Sequence, residues 1–171
     1  MNINTERLIL RPFTFSDTEK VYQMSLEEGM KKWIPDQVYK DENEAHEVLE
    51  FLISCYEDPD PKTKPFVLGI ELKDSKELIG HVGLSPFENS VEIGYAVENK
   101  HQGKGYATEA IKAMCQYALD KFNLHKILGI VASENKGSIK ALEKAGFKFV
   151  EEKERQAFGR TGLCRVYNFT L

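Results

Sequence analysis

No stretch of this sequence strings together the roughly 20 apolar residues that a membrane-crossing helix needs. Cysteine is scarce. Cys55, Cys115 and Cys164 are odd in number and far apart, which argues against a disulfide framework and a zinc site. Cys55 and Cys115 fall in helical patterns and read as small core hydrophobes. His46, His81, His101 and His125 show no ligand spacing either, so no metal is expected. Basic charge is not in excess. The net charge of −4 lacks the basic face that nonspecific nucleic-acid binding wants, and it favours a cationic substrate only mildly. The first residues read as an amphipathic strand, not as charge running into an apolar segment. No signal peptide is therefore expected, and a reduced, cytoplasmic setting is. Repeats and low-complexity segments are also missing.

What is present is an ordinary globular balance, 42% hydrophobic and 29% charged, in a chain of 171 residues. That length buries one core without staples, so residues 1–171 read as a single domain. Thr5 to Phe13 alternates Leu8 and Leu10 with Arg7 and Arg11, as a strand does. A helix is expected from Ser16-Asp17, and a short exposed turn at Trp33-Ile34-Pro35. Glu44 to Tyr56 has helical spacing, and the proline-rich Tyr56 to Pro65 is a linker. Three strand-like runs follow: Phe66 to Leu72, Leu78 to Leu84 and Val91 to Val97. A hairpin turn at Glu88 to Ser90 joins the last two. A long amphipathic helix begins after "HQGKGYATEA". Then come a short buried strand over Lys126 to Ala132, a helix from Asn135 to Gly146, and closing strands Phe147 to Glu152 and Arg165 to Leu171. The order predicts an α/β fold with an antiparallel meander followed by a crossover helix.

The loop Gln102-Gly103-Lys104-Gly105-Tyr106-Ala107 carries the chemical signal. Its two glycines let backbone approach a ligand, and the following helix points its positive end at it. Such a concavity suits a diphosphate, with Lys104 at its rim. The nucleotide P-loop pattern is absent. The dinucleotide fingerprint fails too, because Thr108 stands where its third glycine belongs.

The loop instead fits the pattern Q/R-x-x-G-x-G/A through Gln102, Gly105 and Ala107. Together with "RLILRPFTFSD", "VEIGYAV" and "ENKGSIKALEKAGF" in this order and spacing, it resembles the GNAT N-acetyltransferases. The likeness is greatest to the RimJ/RimL-like branch that acetylates ribosomal and other protein N-termini. The resemblance implies a twisted mixed, mostly antiparallel sheet of six to seven strands flanked by about four helices. It implies acetyl-coenzyme A as the donor, a primary amine as the acceptor, and dimers as a common state. The pyrophosphate falls to Gln102 through Thr108. The pantetheine arm falls to the backbone of the strand carrying Ile93, Tyr95 and Val97, and to Asn135 and Ser138. Gly94 in that strand is consistent with a bulge or a close backbone approach.

Deprotonating an alkylamine, whose pKa is near 10, needs a base. Glu92 is the candidate. Alternation turns it away from Val91 and Ile93, and the plain alternative is a solvent-facing strand residue. Many relatives have a tyrosine at the position of Leu142 to protonate the leaving thiolate. In the N-terminal-acetylating branch an earlier serine takes that role, which maps to Ser138. A serine in a first helical turn is also ordinary packing chemistry. Tyr95 and Tyr106 read as packing residues. Trp33 lies where the family's variable substrate-binding helices lie, and would wall the acceptor site. Two other classes stay open: a non-catalytic acyl-coenzyme A-binding module, which the Leu142 departure permits, and a nucleotide-binding regulatory domain using the same loop.

Overall fold

The computed structural model describes residues 1–171. In chain order the strands are β1 (Ile3–Asn4), β2 (Leu8–Arg11), β3 (Phe66–Leu72), β4 (Leu78–Phe87), β5 (Ser90–Val97), β6 (Ile127–Ala132), β7 (Lys148–Ala157) and β8 (Arg160–Phe169). The helices are α1 (Thr18–Ser25), α2 (Glu28–Trp33), α3 (Glu42–Ser54), α4 (Tyr106–Lys121) and α5 (Lys136–Ala145). All eight strands lie in one sheet, ordered β1-β2-β3-β4-β5-β6-β8-β7. Every neighbouring pair is antiparallel except β5 and β6. No helix is long and apolar enough to cross a membrane.

Eight strands and five helices correct the expected six to seven and about four. The extra strand is β1, two residues pairing Ile3 with Leu10 and Asn4 with Ile9, too short to show alternation. The extra helix is α2. Its last residue is Trp33, so the predicted turn begins one residue later, where Pro35 opens a 3-10 turn. Another 3-10 turn, Phe15–Asp17, precedes α1, with the Thr14 N–H donating to Asp17 Oδ2 at 2.8 Å. The closing strands are ten residues each, and only Phe158 and Gly159 turn between them, at φ +56° and +76°.

Local chemistry accounts for the helix ends. Asp41 Oδ1 accepts from the Glu44 N–H at 2.9 Å to open α3, and Asn135 Oδ1 accepts from the Ser138 N–H at 3.2 Å to open α5. Gly146, at φ +106°, closes α5 in the left-handed conformation. One face of the sheet packs on α4 and α5. Ile111, Met114 and Cys115 of α4 meet Phe66, Leu68, Val82 and Ile93 there. The other face carries α1 and α3 over a smaller cluster around Phe13, Leu49 and Leu78.

Leu142 belongs to the larger core. It is 1% exposed, and a Cβ on Gly129 of β6 would lie 3.1 Å from its Cδ2. Gly129 therefore leaves the room that Leu142 fills. Leu142→Ala should cost about 2–5 kcal/mol in urea unfolding, the range for truncating a buried leucine. An unchanged unfolding midpoint would contradict this packing.

The parallel pair is the irregular part of the sheet. β5 and β6 are in register only at Glu92–Leu128 and Ile93–Gly129. Beyond these the two strands separate, while β4 stays paired with β5 through Val97.

Candidate active site

The separation of β5 from β6 opens a cleft of about 740 Å³. Its walls include Gly94 to Glu98 from β5 and beyond, Ile130 to Ala132 from β6, the glycine loop, the first turns of α4 and α5, and residues of α1 to α3.

At the loop, Gly103 and Gly105 sit at φ +76° and +83°, a conformation in which a side chain is strained. The N–H groups of Gly103, Lys104, Gly105, Tyr106, Ala107 and Thr108 donate to no acceptor in the protein; the first bond of the turn is Glu109 N–H to Gly105 O at 3.1 Å. A continuous run of free donors at a helix N-terminus is the arrangement that suits an anion. Gln102 fixes the loop by donating from Nε2 to Val97 O at 2.9 Å. Lys104 is exposed, between the wall residues Gly103 and Gly105, and only its backbone carbonyl is engaged.

That carbonyl accepts from Arg7 Nη1 at 2.8 Å. Arg7 Nε also pairs with Glu109 Oε2 at 2.8 Å, and the guanidinium lies 4.5 Å from the Tyr106 ring centre. In the sequence pattern Arg7 is an ordinary alternating strand residue. No spacing signal marks a brace that joins the first strand to a loop so far along the chain.

At the split, Glu98 donates its N–H to Ile79 O on β4. Strand alternation then turns the N–H groups of Tyr95 and Val97 the other way, toward the separation. Gly94 makes no bulge, because its register with Gly83 is continuous. A Cβ there would meet nothing within 4 Å, so the glycine leaves the cleft floor open.

Across the split, Asn135, Ser138 and Ala141 of α5 and its N-cap line the cleft, whereas Leu142 does not. Tyr95 donates from its hydroxyl to Ser138 O at 3.1 Å, and burial pushes that phenol up to about 12. Tyr95 thus fixes the first turn of α5 beside β5 and holds its proton.

Glu92 faces away from Val91 and Ile93, beside Ser85 and Leu128 on neighbouring strands. It is half-buried, and its Oε2 is buried with no hydrogen-bond partner. Burial pushes the carboxyl up to about 7; Arg155 opposes this and the charge of Asp36 adds to it. The cleft wall includes Ser85 and Asp36 but not Glu92 itself, which stands beside Ser85 on the adjacent strand.

Trp33 does line the cleft. The β7–β8 hairpin reaches it: Arg160 lies 5.2 Å from the Trp33 ring centre, and a Cβ on Gly159 would be 3.1 Å from both Asp36 Cβ and Asp36 N. Arg155 Nη2 binds Glu88 Oε1 at 2.7 Å on the β4–β5 turn. The hairpin is therefore a roof over this end. His81 is in the wall as well, its imidazole pushed down to about 4 by burial. Phe158, at the tip of the hairpin, is in the wall too; Asp36 and His81 are wall residues that no sequence pattern marks.

Glu77, Glu98 and His101 bring ligand-type atoms within 4.8 Å of one another. Lys20 pairs with Glu98 at 2.8 Å and Lys100 with Glu77 at 2.6 Å, so the group forms an ion-pair network tying α1 to the turn before the loop.

Comparison with known proteins agrees with this geometry. Residues 7–148 match the acetyltransferase (GNAT) domain. The chain is 30% identical over 150 residues to the uncharacterised N-acetyltransferase YnaD of Bacillus subtilis, covering 86% of this chain and 83% of that one. It is 25% identical over 158 residues to the [ribosomal protein uS5]-alanine N-acetyltransferase of Escherichia coli, covering 86% and 78%. The fold superposes on the ribosomal L7/L12 α-N-protein acetyltransferase RimL, solved with coenzyme A, with a TM-score of 0.85 at 15% identity over 100% of this chain and 98% of that one.

Proposed function

This chain belongs to the GNAT acetyltransferase family and is an N-acetyltransferase of it, and we propose that it passes the acetyl group of acetyl-coenzyme A directly to a primary amine in a ternary complex. The run of free N–H groups from Gly103 to Thr108 carries the reading, because it suits a pyrophosphate and nothing in the protein uses it. Ile93, Tyr95 and Val97 give the strand along which the pantetheine arm would lie, with Asn135 and Ser138 on its far side. When bound, the coenzyme supplies a thioester carbonyl carbon as electrophile. Glu92, with a pKa near operating pH, takes the proton from the acceptor ammonium, directly or through water by way of Ser85. An N–H of Tyr95 or Val97, both turned toward the split, would stabilise charge on the thioester oxygen as the N–C bond forms and the C–S bond breaks. The Ser138 hydroxyl would give a proton to the leaving sulfur and recover one, through water, from the nitrogen, which sheds its second proton as the amide forms.

The acceptor read first is a protein N-terminus, ribosomal proteins included. The Asn135–Ser138 pair and the similarity to the uS5-alanine enzyme support it. A small amine is the second reading, favoured by the roof that the β7–β8 hairpin makes over the acceptor end. Mixing acetyl-coenzyme A with a panel of amines and N-terminal peptides should release free thiol only when an acceptor is present. Acceptor-independent hydrolysis alone would sink the reading. Ser138→Ala should lower kcat by about tenfold, short of the ~10²–10⁴ of an indispensable acid, because a thiolate leaves without full protonation.

A further inference from the structure

The end of the cleft under α1 to α3 is walled chiefly by Met24, Met30, Trp33, Tyr39, Leu52 and Phe158. The lysines of the wall, Lys140 and Lys144, both belong to α5 on the opposite side. The ionisable side chains of the wall, the α5 lysines and the tyrosines apart, are Glu27, Asp36 and half-buried His81, with Glu98 and His101 beyond the end of β5 and Glu92 standing beside the wall. The Glu27 carboxylate accepts from the Asn99 N–H and Glu98 pairs with Lys20, while of the neighbouring arginines Arg155 is paired with Glu88 and Arg160 lies against Trp33. The hairpin tip closes over Pro35 and Asp36, which limits the length of what can lie there.

Phe158 supplies an independent observation. It holds φ +56° at the first position of a two-residue hairpin turn, where both residues have positive φ. Asparagine or glycine is the favoured residue there, and a bulky side chain is strained. Strain of this kind collects at ligand-facing positions, and Phe158 is in the cleft wall.

We infer that the acceptor is a compact monoamine whose amine is carried on an apolar, ring-bearing body, and that Phe158 is a specificity-determining residue that packs on that body. This rests on the acetyltransferase reading above and takes its second acceptor, the small amine, over the protein N-terminus. The carboxylates of Asp36 and Glu92 attract the cationic end, and the thioether and aromatic walls receive the rest. A polyamine would bring a second and third ammonium against walls whose other carboxylates, Glu27 and Glu98, are already engaged by the Asn99 N–H and by Lys20, at the cost of desolvating each. A peptide N-terminus would have to carry its following polar backbone under the hairpin.

The test compares phenethylamine, spermidine and a short peptide with a free N-terminal serine as acceptors for the wild type and for Phe158→Asn. Phenethylamine is expected to give the highest kcat/KM, by about tenfold or more, the scale on which an apolar pocket discriminates. Phe158→Asn should melt at the same or a higher temperature and bind acetyl-coenzyme A unchanged, yet lose about tenfold in kcat/KM for phenethylamine, mostly through KM. A preference for spermidine or the peptide, or an asparagine variant with unaltered phenethylamine kinetics, would overturn the inference and leave the transferase standing. No transfer to any amine, with acetyl-coenzyme A still bound, would overturn both.

Discussion

Gly105→Asp is expected to abolish detectable acetyl-coenzyme A binding in a calorimetric titration while the protein stays folded. Gly105 stands at φ +83° at the head of α4, with Arg7 Nη2 3.3 Å from where its Cβ would be. Aspartate is among the few residues that enter this conformation at modest cost, about 1 kcal/mol, and its carboxylate is welcome at a helix N-terminus. The helix therefore survives. What changes is the anion site. The new carboxylate sits among the N–H groups of Gly103 to Thr108 and satisfies them internally, and it repels a pyrophosphate. Losing several charge-assisted hydrogen bonds, each about 1.5–3 kcal/mol, weakens binding by orders of magnitude. Retained tight binding would mean that the diphosphate is held elsewhere. Titration with free ATP separates this donor site from a general nucleotide site, since strong ATP binding without coenzyme binding would point to the latter.

Glu92→Gln should lower kcat by about 10²–10⁴, the usual worth of a positioned base. The wild-type rate should rise with pH through about 7, where the carboxyl ionises, and the variant should lose that limb. Stability gives a second readout with the opposite preference. The folded state holds this proton more tightly than the unfolded chain does, because burial raises the pKa above its usual 4.5. Wild-type stability from this group is thus fully present below pH 4.5 and is lost as pH rises through 7, by an amount on the order of 3 kcal/mol at most, less where solvent screens the charge. Glutamine resembles the neutral acid. The variant should match the wild type in melting temperature at about pH 4 and exceed it at about pH 8. Equal melting temperatures at both values would show that Glu92 is well solvated, and an unaltered pH–rate profile would remove it from the chemistry.

The parts of this site that can be read from sequence are those whose geometry is encoded in consecutive residues. "HQGKGYATEA" specifies two left-handed glycines and a helix start within a few positions, and "ENKGSIKALEKAGF" specifies an N-cap, one helical turn and a C-terminal glycine. The meander is legible for the same reason, through alternation and turn residues. What joins distant segments is not legible. Arg7 meets Lys104 and Glu109 only because β2 packs beside α4, and Asp36 meets Gly159 only because the hairpin folds over α2. Gly94 shows the limit from another side. A glycine within a strand pattern is consistent with a bulge or with close approach, and only the register with Gly83 and the open space above it reveal a flat floor. Leu142 is similar. Aligned on a motif it marks a missing acid, but packed on Gly129 it is a core residue whose neighbour Ala141 faces the cleft.

The two-residue contact between β5 and β6 also has a mechanical meaning. It divides the sheet into a five-stranded leaf and a three-stranded leaf hinged at Glu92–Ile93, with α4 and α5 leaning across the hinge. A ligand seated between the leaves acts as a splint: it stiffens the joint, slows amide exchange along Ile130–Ala132, and makes the rigidity of one leaf depend on what the other has bound.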